Sequence, residues 1–89
     1  MKIENYKESA NDPKVHAIFD VDLENGVTYP NIKIRRGKNN KMFIDRPGYV
    51  KSDDGMGNKT WGKYPELSDE RLKDFNAKVK IALEPFIVL

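Results

Sequence analysis

With 89 residues, 38% of them hydrophobic and 34% charged, the chain predicts one small folded domain, covering residues 1–89, rather than a disordered tail. It contains no cysteine, which excludes disulfides and thiolate chemistry, and no apolar run approaches the roughly 20 residues of a membrane span, so no membrane partner is expected. The first residues lack the apolar stretch of a secretory signal, so, with cysteine also absent, we expect a cytoplasmic protein. The formal net charge is only +2.

Two strands are predicted in the first third of the chain. The opening MKIENY favours a short strand, which residues 11–13 would break. In residues 15–23 every second side chain is apolar and those between are polar except for Ile18, which is typical of a half-buried strand. Asn25 followed by Gly26 predicts a tight type I′ hairpin turn, so the next strand should pair back on this one.

Further strands are predicted in the middle of the chain. One covers residues 27–36, with an edge or a bulge at Pro30, because proline cannot donate to a strand ladder. Residues 41–45 supply another, and residues 59–64 a last one after a turn at residues 53–58. Each hairpin places a strand beside its predecessor, so the pattern predicts a small antiparallel sheet of four to five strands.

A C-terminal helix over residues 69–84 has the strongest local signal. Ser68 is a favourable N-cap, and Leu67 and Leu72 occupy the two positions of a hydrophobic staple. Pro85 would end the helix. An amphipathic helix packed on one face of the sheet gives an α+β fold class. The apolar stripe at helical spacing comprises Leu72, Phe75, Val79, Ala82 and Leu83, and its spacing can extend to Phe86.

One helix can cover only one face of the sheet, so the opposite face is left for solvent, a second subunit or a ligand. The covered face is predicted to carry Val15, Ala17, Phe19, Val21, Ile32, Ile34, Met42 and Ile44. The open face is predicted to carry Tyr29, Lys33, Arg35, Lys41 and Phe43. Aromatic rings among cations suit single-stranded nucleic acid. Packing against cross-strand neighbours or a dimer partner is the alternative.

Positive charge is concentrated in the middle third of the chain. Residues 33–63 carry nine Lys and Arg against three Asp and Glu, whereas residues 1–32 carry three against six and residues 64–89 four against five. Such a segment is typical of a phosphate-binding surface. A solvated, lysine-rich sheet rim that discourages edge pairing is the alternative.

Several motifs together resemble the SpoVG family, small bacterial regulators of septation and sporulation. The resemblance spans residues 15–83. It rests on the hairpin AIFDVDLENGVTYPNIKI, on the turn with Asn39 and Asn40, on MFIDRP, which is similar to the family's Leu-Phe-Val-Ala-Met-Pro, and on Pro65 shortly before the helix. The resemblance implies a β-rich domain with a C-terminal helix that dimerises and binds DNA, and RNA in some members, to regulate gene expression and septation. It implies no catalysis.

The predicted nucleic-acid-binding residues come from the basic segment and from this resemblance. The family's basic residues after the proline are similar to Lys51 here, with Arg46 nearby. We expect Lys51, Lys59 and Lys63 to bind phosphates. Two interpretations of Trp61 are open: it stacks on a base or wedges between bases, or, as the only Trp of a small domain, it caps the edge of the core. The full predicted set is Lys33, Arg35, Arg36, Lys38, Lys41, Arg46, Lys51, Lys59, Trp61 and Lys63.

Enzymatic chemistry has only weak candidates in this sequence. His16 lies mid-strand with no serine or cysteine nucleophile placed near it, so a histidine on the sheet surface is expected. Asp20 and Asp22 could bind a hard cation, but salt bridges to Lys33 and Arg35 are the expected arrangement. DDGMGN lacks the alternating ligands and closing glutamate of a calcium loop and predicts a turn. We therefore expect no enzyme, metal, cofactor or small-molecule substrate.

Two kinds of partner fit these observations. The first is nucleic acid, bound by a homodimer. The second is an acidic protein, docked on the basic surface of a non-enzymatic dimeric interaction module. Competition by unrelated nucleic acids would distinguish them, whereas salt dependence would not, because both interactions are electrostatic.

Overall fold

The computed structural model describes residues 1–89 as six β-strands and one α-helix. The predicted α+β class, with an antiparallel sheet and a C-terminal helix, is confirmed. A three-residue 3-10 turn, Lys38–Asn40, connects the third and fourth strands. The elements are β1 (Lys2–Glu8), β2 (Val15–Asp22), β3 (Thr28–Arg36), β4 (Met42–Asp45), β5 (Gly48–Asp53), β6 (Lys59–Lys63) and α1 (Asp69–Leu83).

Strands β1 to β4 form one antiparallel sheet in chain order, so each strand pairs with the one before it. This is the meander that the hairpin signals predict. The predicted alternation in β2 is complete, because every second side chain is buried and those between are partly exposed. The core that results lies between this sheet and α1. Its buried apolar residues are Ile3, Val15, Ala17, Phe19, Val21, Ile32, Ile34, Phe75, Val79 and Leu83.

A bulge in β3 changes which side chains face the helix. The register shifts between Phe19 and Val21 of β2, because the opposing stretch of β3 has one extra residue. Tyr29 consequently packs against the core, and its ring meets that of Phe75 at a centroid distance of 6.1 Å. The bulge predicted at Pro30 is confirmed. The placement of Tyr29 on the open face is wrong, since the extra residue inverts the alternation.

The connection between β2 and β3 differs from the predicted two-residue turn. Positive φ angles occur at Glu24 (61°) and Gly26 (90°) but not at Asn25, where a type I′ turn requires one. The Leu23 amide instead donates to the Val27 carbonyl at 2.9 Å, and the Asn25 side chain accepts from the Val27 amide at 3.1 Å. The connection is therefore a wider loop closed by a local asparagine hydrogen bond.

The helix α1 begins where the sequence predicts. Ser68 Oγ accepts from the Arg71 amide at 3.3 Å, which confirms the predicted N-cap. Phe75, Val79 and Leu83 are buried against the sheet, as the apolar stripe predicts. No helix of the protein is both long and apolar enough to cross a lipid bilayer.

Strands β5 and β6 form a separate two-stranded ribbon. Strand β6 matches the strand predicted at residues 59–64, but β5 has no counterpart among the predicted strands, because nearly all its side chains are exposed. The turn between them is closed by Asp54, which accepts from the Met56 amide at 2.8 Å and the Asn58 side chain at 2.7 Å. These two hydrogen bonds, that from Asn58 first, lower the pKa of Asp54.

Candidate nucleic-acid interface

An open groove is bounded by the β5–β6 ribbon, the link between β4 and β5, and the segment leading into α1. Its volume is about 610 Å³. Four of the ten predicted binding residues meet here, namely Arg46, Lys51, Trp61 and Lys63. Three cations around a single carboxylate, that of Glu66, form a surface that attracts anions. The complete lining is Arg46, Lys51, Trp61, Gly62, Lys63, Glu66, Leu67 and Ser68.

Trp61 lies at the surface of the ribbon, with 65% of the residue exposed. The alternative that it caps the edge of the core is therefore wrong. Its cross-strand neighbour is Val50, which is also exposed. An indole ring that faces solvent beside a cationic groove is available for stacking on a nucleobase.

Arg46 is fixed by a hydrogen bond to a backbone carbonyl oxygen, and no carboxylate neutralises its charge. Its Nη1 donates to the carbonyl oxygen of Pro65 at 2.6 Å, and no carboxylate forms an ion pair with it. Pro65 is buried, so this bond fixes the link between β4 and β5 against the segment before α1. The remaining guanidinium donors stay available for a ligand.

Asp45, the last residue of β4, binds two of the predicted cations. Its Oδ2 accepts from Arg35 Nε at 2.5 Å and its Oδ1 from Lys63 Nζ at 3.0 Å. Arg35 belongs to β3 and Lys63 to β6, so this carboxylate joins the four-stranded sheet to the ribbon. Two cations share one anion, which leaves the cluster positively charged.

The salt bridges predicted from Asp20 and Asp22 to cations of β3 do not form. Asp20 accepts instead from the Asn31 amide at 3.1 Å and the Asn5 side chain at 2.8 Å. Asp22 accepts from the Glu24 amide at 2.7 Å. Asp20 is thus bound by donors from the two neighbouring strands, whereas Asp22 is bound by a backbone amide two residues further along the chain.

Arg36 lies on the four-stranded sheet, outside the groove. Its Nη2 is 2.6 Å from His16 Nδ1, and its Nη1 donates to the Pro13 carbonyl at 3.3 Å. Because a guanidinium has no acceptor, His16 Nδ1 must accept this hydrogen bond. His16 is thus a histidine on the sheet surface, as predicted, and its Nε2 lies 3.8 Å from Glu8.

The other predicted residues do not line the groove and form no ion pair. Lys33 lies half-buried on β3, Lys38 is in the 3-10 turn, and Lys41 directly follows that turn. Lys59 is exposed at the start of β6, the strand that also carries Trp61. Of these four lysines, only Lys59 therefore lies on the ribbon that forms one wall of the groove.

Tyr49 and Lys51 of β5 both contact Glu66. The Tyr49 hydroxyl donates to Glu66 Oε1, and Lys51 Nζ lies 3.6 Å from the same oxygen. The hydrogen bond from Tyr49, and then the charge of Lys51, lower the pKa of Glu66. The same hydrogen bond, and then burial, raise the pKa of Tyr49. These contacts tie the ribbon to the segment before α1.

The raised pKa of Tyr49 and the lowered pKa of Glu66 predict the pH ranges in which the contact between them is lost. The contribution of Glu66 to stability is complete above the ordinary glutamate pKa of roughly 4.3 and is lost as the pH falls through its lowered pKa. That of Tyr49 is complete below the ordinary tyrosine pKa of roughly 10 and is lost as the pH rises through its raised pKa. We expect Glu66→Gln to bring the Tyr49 pKa back toward its ordinary value, as measured by an NMR titration of the ring.

The internal control for this titration is Tyr6. Burial is the main cause that raises the pKa of Tyr6, with the charge of Glu8 second, so Glu66→Gln should leave it unchanged. An unaltered Tyr49 titration in Glu66→Gln would show that the two side chains are not bonded in solution.

Gly62 allows the Tyr49 ring to lie across the ribbon. The two residues are cross-strand partners, and a β-carbon on Gly62 would lie only 2.9 Å from Tyr49 Cζ. We expect Gly62→Ala to displace the ring, break its bond to Glu66 and cost about 1 kcal/mol of unfolding free energy. Such a loss lowers Tm by roughly 4–8 °C in a domain of this size, measurable by circular dichroism.

The matched control for Gly62→Ala is Gly48→Ala in the partner strand. A β-carbon on Gly48 would meet nothing closer than 3.7 Å, which is an ordinary contact. Tm should therefore stay unchanged or rise slightly in this variant. Equal Tm values for the two variants would contradict the role assigned to Gly62.

The structure brings Glu66 and Tyr49 into the site, and neither belongs to the predicted set. They are not basic, and their contact joins residues 17 positions apart, which no local pattern reports. The one available signal is the position of Glu66, between Pro65 and the helix cap, in a segment that must pass close to the basic strands.

No protein-family model, curated protein or solved structure matches this chain. The resemblance to the SpoVG family therefore stays a prediction that rests on its motifs.

Proposed function

We propose that this protein is a non-enzymatic regulator that binds DNA or RNA through the groove. The observation that carries the proposal is the exposed indole of Trp61 beside three cations, Arg46, Lys51 and Lys63. Cations bind phosphates of any sequence, and an exposed aromatic ring adds stacking on bases. A role in gene regulation and septation, in the bacterial cytoplasm, follows from the SpoVG resemblance.

The ion pairs in the groove do not prevent phosphate binding. Lys51 and Glu66 are both more than half exposed in their side chains, and Lys63 is nearly half exposed. The exposed pair of Lys51 with Glu66 is worth only about 0–1 kcal/mol, so a phosphate can take the place of Glu66 at little cost. The Asp45 side chain is only 17% exposed, so a phosphate would bind Lys63 beside this carboxylate rather than replace it. Lys59, further along β6, extends the cationic surface beyond the groove.

The proposal is tested by fluorescence anisotropy of short labelled duplex DNA, single-stranded DNA and RNA at two salt concentrations. We expect micromolar or tighter binding that weakens steeply with salt, because bound phosphates release counterions. Unlabelled nucleic acid of unrelated sequence should compete. If none of the three ligands binds at low salt, the proposal is wrong and the basic surface serves an acidic protein partner instead.

Self-association is the second part of the proposal. Three large apolar side chains near the C-terminal end, Ile81, Phe86 and Val88, are exposed and available to a second copy of the chain. We expect light scattering to give twice the chain mass of 10.3 kDa, and Val88→Asp to shift the mass toward that of one chain. A single-chain mass for the unchanged protein at the concentrations used for binding would contradict a dimer.

A further inference from the structure

We infer that the groove recognises one unpaired guanine through the side chains of Lys51 and Glu66, an inference that rests on the proposed nucleic-acid function. The starting observation is the carboxylate itself. Glu66 lines a groove that otherwise carries cations, and its charge repels phosphate. Its contacts with Tyr49 and Lys51 use only Oε1, so Oε2 can accept from a ligand, and nucleobases carry hydrogen-bond donors whereas phosphates do not.

The geometry presents a donor and an acceptor side by side. Lys51 Nζ lies 3.6 Å from Glu66 Oε1, and the Tyr49 hydroxyl, which donates to the same oxygen, orients the carboxylate. Oε2 has no hydrogen-bond partner within the protein. Both side chains are more than half exposed, so a ligand can reach them. A carboxylate can only accept, and an ammonium can only donate.

The Watson–Crick edge of guanine matches this pair. It presents an acceptor, O6, followed by two adjacent donors, N1–H and the N2 amino group. Lys51 can donate to O6 while Glu66 accepts from the two donors. The ammonium carries three donors, so Lys51 can face Glu66, donate to O6 and keep one donor for a phosphate.

The other bases fit this pair less well. Adenine and cytosine place a ring acceptor beside their amino group, and that acceptor would face the Glu66 carboxylate. Thymine and uracil flank their single N–H with two carbonyl oxygens, one of which would face the carboxylate. In a duplex the Watson–Crick edge is already paired, so the guanine has to come from a single strand.

Trp61 supplies the second contact with the same base. It lines the same groove as Lys51 and Glu66, and its exposed ring can cover the face of a base whose edge meets the ion pair. Stacking is indifferent to base identity, so the preference has to come from the edge. Trp61 therefore contributes affinity for any base, and Glu66 contributes selectivity for guanine.

The test uses short labelled oligo(dT) strands that carry one central dG, dI, dA, dC or dT. We expect the dG strand to bind roughly 10-fold more tightly than the dT strand, the size of one good base contact. Inosine lacks the N2 amino group and should fall between them. The dG strand annealed to its complement should lose the preference. Glu66→Gln should remove the difference in affinity between the dG and dT strands, because it replaces an acceptor by a donor at the base edge. Since it also removes a negative charge from the groove, it should strengthen binding of plain oligo(dT).

The matched control is Glu70→Gln, which makes the same charge change in the first turn of α1, outside the groove. It should keep the preference for dG. If the protein without substitutions binds all five strands with equal affinity, the inference is overturned while the proposed function stands. If Glu66→Gln keeps the preference, guanine is recognised by other groups and the assignment of Glu66 is overturned. If no strand binds, both the inference and the proposed function fail.

Discussion

Replacing Lys51, Lys59 and Lys63 together with alanine is expected to weaken binding of single-stranded nucleic acid on the order of 100-fold at about 0.1 M salt. Each lysine that neutralises a phosphate contributes a slope of about −0.7 to the dependence of log K on log salt, so the slope should become shallower by about 2. The loss should be even across strands without guanine, since phosphates carry no sequence information, and larger for a strand with an unpaired guanine, whose O6 would also lose its contact with Lys51. Anisotropy titrations over a range of salt concentrations measure both quantities.

The control for the triple variant removes the same charge elsewhere. Lys7, Lys73 and Lys80 are exposed and do not line the groove, so changing all three to alanine should alter the salt slope far less. A variant with arginine at positions 51, 59 and 63 should retain binding, which separates loss of charge from loss of fold. Unchanged affinity in the folded alanine variant would contradict the assignment of the groove.

The parts of the fold that the sequence predicts are those with a local signal. The helix is expected at residues 69–84 and found at Asp69–Leu83, because a cap, a staple and a proline all lie within its own segment. Strand β2 is equally clear, since each of its alternate positions is buried. Strand β5 is different. It is stabilised by pairing with β6 rather than by burial, so its side chains carry no periodic signal.

Long-range contacts account for the features of the structure that the sequence does not predict. Tyr29 faces the core because one extra residue in β3 inverts the alternation of side chains. A proline in the sequence predicts a bulge but does not predict which side chains move to the other face of the sheet. The uneven charge predicts a basic surface, and four of the ten predicted residues line the groove. Which cations are already paired depends on partners 10 to 18 residues away, as for Arg35 and Lys63 with Asp45.

Asp45→Asn is the second substitution with a large expected effect, and it should change stability and affinity in opposite directions. The Asp45 side chain is only 17% exposed and is shared by Arg35 and Lys63, so its loss leaves two cations without their anion. The cost should lie between that of an exposed pair, about 0–1 kcal/mol, and that of a buried one, about 3–5 kcal/mol. We expect about 2 kcal/mol, or a Tm lower by roughly 10 °C.

Binding should improve in the same variant, because the two released cations can pair with phosphate instead. Removing one negative charge beside the groove is comparable to gaining one phosphate contact, so affinity for single strands should rise about fivefold at about 0.1 M salt. Asp74→Asn is the matched control. Asp74 pairs with Lys78 at 2.9 Å on the exposed side of α1, so its loss should barely change Tm or affinity. Weaker binding by folded Asp45→Asn would mean that Asp45 acts by positioning Arg35 and Lys63 for the ligand, rather than by neutralising them.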